Sequence, residues 1–108
     1  MKTIAIDFDG VIHKYSKGWE DGEIYDKPME GVLEALRILY LKGYGITVFT
    51  TREDLADVKS WIRKQYNREY PNSEMIELNV TNYKPKAIAY IDDRAIRFTN
   101  WKDMLNYF

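Results

Sequence analysis

Asp7 and Asp9 stand one residue apart in the stretch IAIDFDGVI, directly after apolar Ile4, Ala5 and Ile6 and directly before Gly10. Carboxylates this close repel, and either one costs free energy if it is buried without a partner. The pair therefore calls for positive charge from elsewhere. Two other apolar runs also end on polar groups: ITVF is followed by Thr50, and AIAYI by Asp92 and Asp93. If the three runs are neighbouring parallel strands, their carboxyl ends share one edge, where open α/β sheets bind ligands. Carboxylates converging from two strand ends make a site for a hard divalent cation. Oxygen donors without histidine or cysteine favour magnesium over zinc. The expected ligand set is Asp7, Asp9, Asp92 and Asp93. The single histidine, His13, falls in an irregular segment and is expected to be a solvated loop residue.

The elements that must carry these groups are short. Strands are expected at 3–7, 46–50, 75–80 and 87–91, where brief runs of β-branched and aromatic residues are bounded by charges or glycine. The first, second and fourth are nearly continuous in apolar character, as in a parallel sheet covered on both faces. The third alternates Ile76, Leu78 and Val80 with Glu77 and Asn79, the pattern of an edge. A helix over 28–43 opens with Pro28, repeats Val32, Leu36 and Leu39, and closes at Gly43. A second, over 53–68, carries Leu55, Val58 and Ile62, with Glu53 and Asp54 in its first turn and Pro71 beyond its end. A short helix covers 101–107. With right-handed crossovers, this order implies a small three-layer Rossmann-like α/β domain with a mostly parallel sheet of four to five strands. Segment 13–27, HKYSKGWEDGEIYDK, has no period and fits no element. A connection of that length in so small a domain is functional or mobile, and a flap-like loop is expected there.

The 108 residues allow one domain, 1–108, with a modest core. A hydrophobic share of 45% with 31% charged residues is that of a globular chain. The net charge of -1 gives no general attraction to a nucleic-acid backbone or an anionic membrane. The lack of cysteine excludes disulfides, thiolate metal sites and a cysteine nucleophile. No apolar run approaches the roughly 18 residues of a membrane span, and the N-terminal residues lack a signal-peptide core. A cytoplasmic protein is expected.

Taken singly, these features have ordinary structural explanations: a turn after a strand, a helix cap at Thr50, a surface lysine at 84, a solvated strand exit at IDDR. Taken together, DFDGVI, VFTTR, NYKPKA and YIDDRA resemble, in order across nearly the whole chain, the four-motif signature of the haloacid dehalogenase-like phosphatases. The intervals leave no room for a cap domain, so the resemblance is to a small capless member. It implies Asp7 as nucleophile, Asp9 as general acid and base, Thr50 as a hydrogen-bond donor to the phosphoryl group and Lys84 as the stabilising cation. It also implies Gly10, Thr51 and Arg52 as substrate-binding residues and Asp92 with Asp93 as the metal-side acids. Lys84 is favoured over Lys86 because it precedes Pro85, as the family's lysine usually does.

The residue types suit that chemistry. A carboxylate can attack phosphorus and form an acyl phosphate, dividing one difficult displacement into two. A second carboxyl can protonate the leaving alkoxide and later take a proton from water. Magnesium, Lys84, backbone amides near Gly10 and the helix after Thr51 would neutralise the phosphoryl oxygens. The expected activity is magnesium-dependent hydrolysis of phosphate monoesters, and the alternative is a catalytically idle phosphate-binding or regulatory module. An uncapped site suits a large phosphorylated substrate such as a nucleic-acid end or a phosphoprotein, and a partner copy could serve as lid for a small one such as a nucleotide. Tyr15, Trp19 and Tyr25 either stack on a base or sugar or pack the loop onto the domain. Lys59, Arg63, Lys64 and Arg68 fit a solvated helix face.

Overall fold

The computed structural model describes residues 2–83, 85–92 and 96–108, and for Asp92 the backbone alone. The chain runs β1 (Thr3–Asp7), α1 (Val32–Leu41), β2 (Gly45–Phe49), α2 (Leu55–Glu69), β3 (Asn79–Thr81), β4 (Ala89–Asp92), β5 (Ile96–Arg97) and α3 (Trp101–Leu105). The strands form one sheet in the order β3-β2-β1-β4-β5, with every pairing parallel. This is the expected Rossmann-like α/β architecture, with the fifth strand present.

Register decides which side chains share a face. Ile4 pairs with Ile46, Ile6 with Val48 and Ile91, and Val48 with Val80, so one face is a continuous branched aliphatic surface. Ala5, Thr47 and Tyr90 lie across the other face. The three helices cover the aliphatic face as one layer, with α1 packed on β2 and touching both α2 and α3. On the reverse face the Tyr90 hydroxyl donates to the Pro85 carbonyl.

Helix α1 starts later than the sequence pattern suggests. Pro28 and Met29 are drawn into pairing with the segment after β1, Met29 N donating to Ile12 O at 2.8 Å, and Gly31 then turns the chain at φ 79°. The helix buries Val32, Leu33, Ala35, Leu36 and Leu39 and stops where Gly43 takes φ 90° and donates to Tyr40 O. Helix α2 is capped by Asp54, whose carboxylate accepts from Asp57 N at 2.9 Å, and it buries Val58, Ile62 and Tyr66. Arg37 joins the two helices by donating to the Tyr66 hydroxyl at 3.2 Å and lying over the Tyr70 ring.

The third expected strand shrinks to Asn79–Thr81. Ile76 and Leu78 are buried as their alternation suggests, but β3 meets β2 only from Thr47 onward, so the residues before Asn79 have no ladder partner. In α3, Trp101 and Met104 enter the core, and the Trp101 indole donates to Val11 O at 3.1 Å. Among the described residues, no helix is long and apolar enough to cross a membrane. Leu36 is fully buried under this helical layer. Leu36→Ala should therefore lower stability by about 2–5 kcal/mol, read as a shifted urea midpoint with an unchanged slope.

Candidate active site

Strand β1 lies at the point where the direction of winding reverses. From it the chain passes through α1 to β2 and on to β3, then returns across the sheet to β4 on the opposite side of β1. Such a reversal opens a crevice outside the carboxyl ends of the strands. Asp7 pairs with Phe49, so Thr50 lies one residue beyond the β2 end. Ile6 pairs with Ile91, which sets Asp92 level with Asp7 at the adjacent strand end. The fold thus brings Asp7, Thr50 and the Asp92 backbone to one edge, as the motifs require. Lys84 and Asp93 lie outside the described residues, as does the Asp92 side chain. Lys86 is exposed.

Beyond β1 the backbone closes at once into a tight turn. The Phe8 carbonyl accepts from Val11 N, Ile12 N and His13 N at 3.2, 2.8 and 3.0 Å, and Gly10, at φ 84°, donates its N–H to His13 O at 2.8 Å. Glycine is needed at position 10 because an L side chain is strained at that φ. The expected phosphate-binding amide at Gly10 is thereby corrected: its hydrogen is spent inside the turn. Asp7 Oδ1 accepts from Phe8 N at 2.8 Å. Buried Thr50 donates its N–H to Thr81 O, and its hydroxyl oxygen accepts from Arg52 N at 3.1 Å. Thr51 is exposed.

The turn throws Asp9 back against Arg52. Arg52 Nε donates to Asp9 Oδ2 at 2.9 Å and Nη2 to Oδ1 at 3.0 Å, a two-pronged pair, while Nη1 donates to Gly22 O at 2.7 Å. The guanidinium is buried between the rings of Phe8 and Trp19, at 5.7 and 5.6 Å. The positive charge that Asp9 requires comes from Arg52 in this arrangement, and the Arg52 fork is engaged by Asp9 and by Gly22 O.

His13 is also not a solvated loop residue. It is fully buried, its Nε2 accepts from the Asp26 backbone N–H at 3.0 Å, and its Nδ1 lies 2.8 Å from Asp9 Oδ1. A backbone amide can only donate, so Nε2 bears the lone pair and Nδ1 carries the proton given to Asp9. The ring stacks on Phe8 and meets Trp61 and Tyr25 edge-on. The sequence signal for this role was available: His13 sits four residues after Asp9 and follows apolar Val11 and Ile12.

The 13–27 loop has no regular structure but is cross-tied. The Tyr25 hydroxyl accepts from Lys17 N at 2.9 Å and donates to Gly18 O at 2.8 Å, and Asp26 accepts from both the hydroxyl and the amide of Ser16. Those Ser16 bonds, with one from Lys27 N, hold the Asp26 carboxyl well below the usual carboxylate range. Burial, then the nearby Asp9 charge, pushes the Tyr15 phenol up. Tyr15 and Tyr25 pack on the His13 ring, forming the inner wall of the loop. A cavity of about 830 Å³ lies elsewhere, at the amino-terminal end of β2 beside Tyr44, Arg63 and Met75.

Asp7 and Asp92 lie at level positions on neighbouring strands, and carboxylates are the hard oxygen donors that magnesium prefers. Among the described residues, no cluster of three or more His, Cys, Asp or Glu is placed to hold a metal.

Fold and topology together define a small Rossmann-like α/β domain whose winding reverses at β1. The fold is shared with a conserved protein from Bacteroides thetaiotaomicron whose structure is solved: TM-score 0.63 and 21% identity, covering 95% of this chain and 85% of that one. No protein-family model matches the chain, and no curated protein does.

Arg52→Gln should lower stability by about 2–3 kcal/mol, since Asp9 would keep a partly buried charge without its partner. In urea unfolding, the double variant with Asp9→Asn should lose less than the sum of the two single losses. Asp26 contributes to holding the loop above its ordinary pKa of 3.8, and the contribution fades as pH falls below that value. Protection of the Ser16 amide in hydrogen exchange should fall in acid, and Asp26→Asn should abolish that pH dependence.

Proposed function

We propose that this protein is a magnesium-dependent phosphomonoester hydrolase of the haloacid dehalogenase-like class, acting in the cytoplasm through an aspartyl phosphate on Asp7. One observation carries the proposal: Asp7 and Asp92 stand level at the carboxyl ends of β1 and β4, with Thr50 at the end of β2 on the other side. A crevice at that edge can take a phosphoryl group against Asp7.

In the first step an Asp7 oxygen bonds to phosphorus as the ester P–O bond breaks and the alkoxide leaves. In the second, water attacks phosphorus, the bond to Asp7 breaks, and inorganic phosphate is released. Thr50 and Lys84 are assigned to the phosphoryl oxygens. A bound magnesium ion supplies positive charge against the carboxylates and the phosphoryl oxygens.

Asp9 handles protons, and its surroundings define how. It accepts from three N–H groups, two on Arg52 and one on His13, so both of its carboxylate oxygens are engaged in this arrangement. Protonating the leaving alkoxide requires Asp9 to carry a proton, for which the Arg52 fork must loosen. The same three contacts favour a second reading, in which Asp9 is a structural tether and the protein binds phosphate without turnover.

Intact-mass spectrometry after rapid quenching with magnesium and an aryl phosphate separates the two. Wild type and Asp9→Asn should form a phosphoryl adduct, and Asp7→Asn should form none. With an alkyl phosphate, Asp9→Asn should lose roughly 10²–10⁴-fold in turnover. An adduct on Asp7→Asn would overturn the assigned nucleophile. Absence of any turnover in wild type would establish the binding module.

A further inference from the structure

Trp19 is the one aromatic residue of the loop that points away from its packing. Tyr15 and Tyr25 are spent against His13, whereas the Trp19 indole remains 65% exposed. An indole this exposed presents its ring to a planar partner. Nor is the ring loose. The Arg52 guanidinium lies over it at 5.6 Å, and Gly22 lies under its edge so closely that a Cβ there would stand 3.3 Å from the indole. Arg52 is in turn held by Asp9 and by Gly22 O. An exposed indole is thus fixed in orientation by the residue that grips the proposed acid and base.

That position has a chemical meaning. A phosphate ester attacked by Asp7 must extend its leaving group toward Asp9, the residue assigned to its oxygen. A single guanidinium separates Asp9 from the indole, so a leaving group directed toward Asp9 lies on the same side of the site as the Trp19 ring. A planar, electron-poor ring carried on that leaving group would stack on the indole, an interaction that tolerates any base because each offers a π-face. Because Arg52 already orders the ring, stacking costs little further side-chain entropy.

We infer that Trp19 is a stacking platform for the base of a nucleoside monophosphate, either free or at the end of a nucleic-acid strand. The inference rests on the phosphatase proposal for its kinetic consequence, but binding tests it separately. The kinetic measurement is kcat/KM with magnesium for a purine nucleoside 5′-monophosphate, for ribose 5-phosphate and for a 5′-phosphorylated oligonucleotide, using wild type, Trp19→Leu and Trp19→Phe.

Wild type should prefer the nucleotide over ribose 5-phosphate by roughly tenfold to a hundredfold. Trp19→Leu should bring that ratio close to one, and Trp19→Phe should keep most of it. The ratio of oligonucleotide to free nucleotide then identifies which source of the base is used. A ratio unchanged in Trp19→Leu would reduce Trp19 to a cover for the Arg52–Asp9 pair and overturn the platform.

The binding measurement is quenching of tryptophan fluorescence. The nucleoside monophosphate should quench wild type more than Trp19→Phe, and ribose 5-phosphate should quench neither. If quenching does not depend on Trp19, the platform is overturned whatever the kinetics. Trp19-dependent quenching without turnover of any ester would uphold it while refuting the hydrolase.

Discussion

The contact between Asp9 and Arg52 is the constraint around which the carboxyl edge of the sheet is arranged. Its two short N–H···O bonds join segments that the sequence keeps far apart: the turn after β1 and the turn after β2. The third guanidinium bond, to Gly22 O, adds the 13–27 loop to the same knot. An arginine suits the role because its planar fork can serve a carboxylate and a carbonyl at once while its faces lie against rings. Removing this charge from water is costly, and the flanking rings of Phe8 and Trp19 together with three acceptors offset that cost. A lysine could meet the charge but not the geometry.

His13 completes the arrangement from the other side. One ring nitrogen faces Asp9 and the other accepts from the Asp26 amide, so the imidazole links the carboxylate to the base of the loop. Phe8, buried one residue before Asp9, lies under both His13 and Arg52. No buried side-chain nitrogen or oxygen among the described residues lacks a hydrogen-bond partner. A polar cluster satisfied to this degree holds its members in place. The loop is held by the same contacts, so any movement of it bears on Asp9 as well.

The topology supplies what the cluster cannot. Because the chain winds outward from β1 to β3 and then crosses back to β4, the Asp7 strand lies between the strands that end at Thr50 and Asp92. The aliphatic face formed by Ile4, Ile6, Ile46, Val48 and Ile91 fixes this order, since a one-residue slip in register would turn those side chains away from the helices. Burial at the middle of the sheet is thus what sets the acidic groups level at its edge.

From the sequence alone, the runs TIAID, ITVFT and AIAYI identified parallel buried strands, and their polar ends placed Asp7, Thr50 and Asp92 at one edge of the sheet. Both properties follow from local chemistry: unbroken β-branched runs suit a sheet covered on both faces, and a carboxylate or hydroxyl ends such a run wherever it lies. Periodicity placed the helices to within a few residues, with the start of α1 the main exception. That boundary depended on Pro28 and Met29 pairing with a segment some sixteen residues earlier, which no local pattern encodes. The shortened third strand likewise depended on where β2 offered it a ladder. His13 stands four residues after Asp9, so its contact with that carboxylate is local, but its burial depended on the loop that folds over it. The role of Arg52 was decided by tertiary structure alone: it is an unremarkable polar residue in its own neighbourhood, and what binds it to Asp9 is charge and hydrogen-bond geometry across a distance that only the folded chain closes.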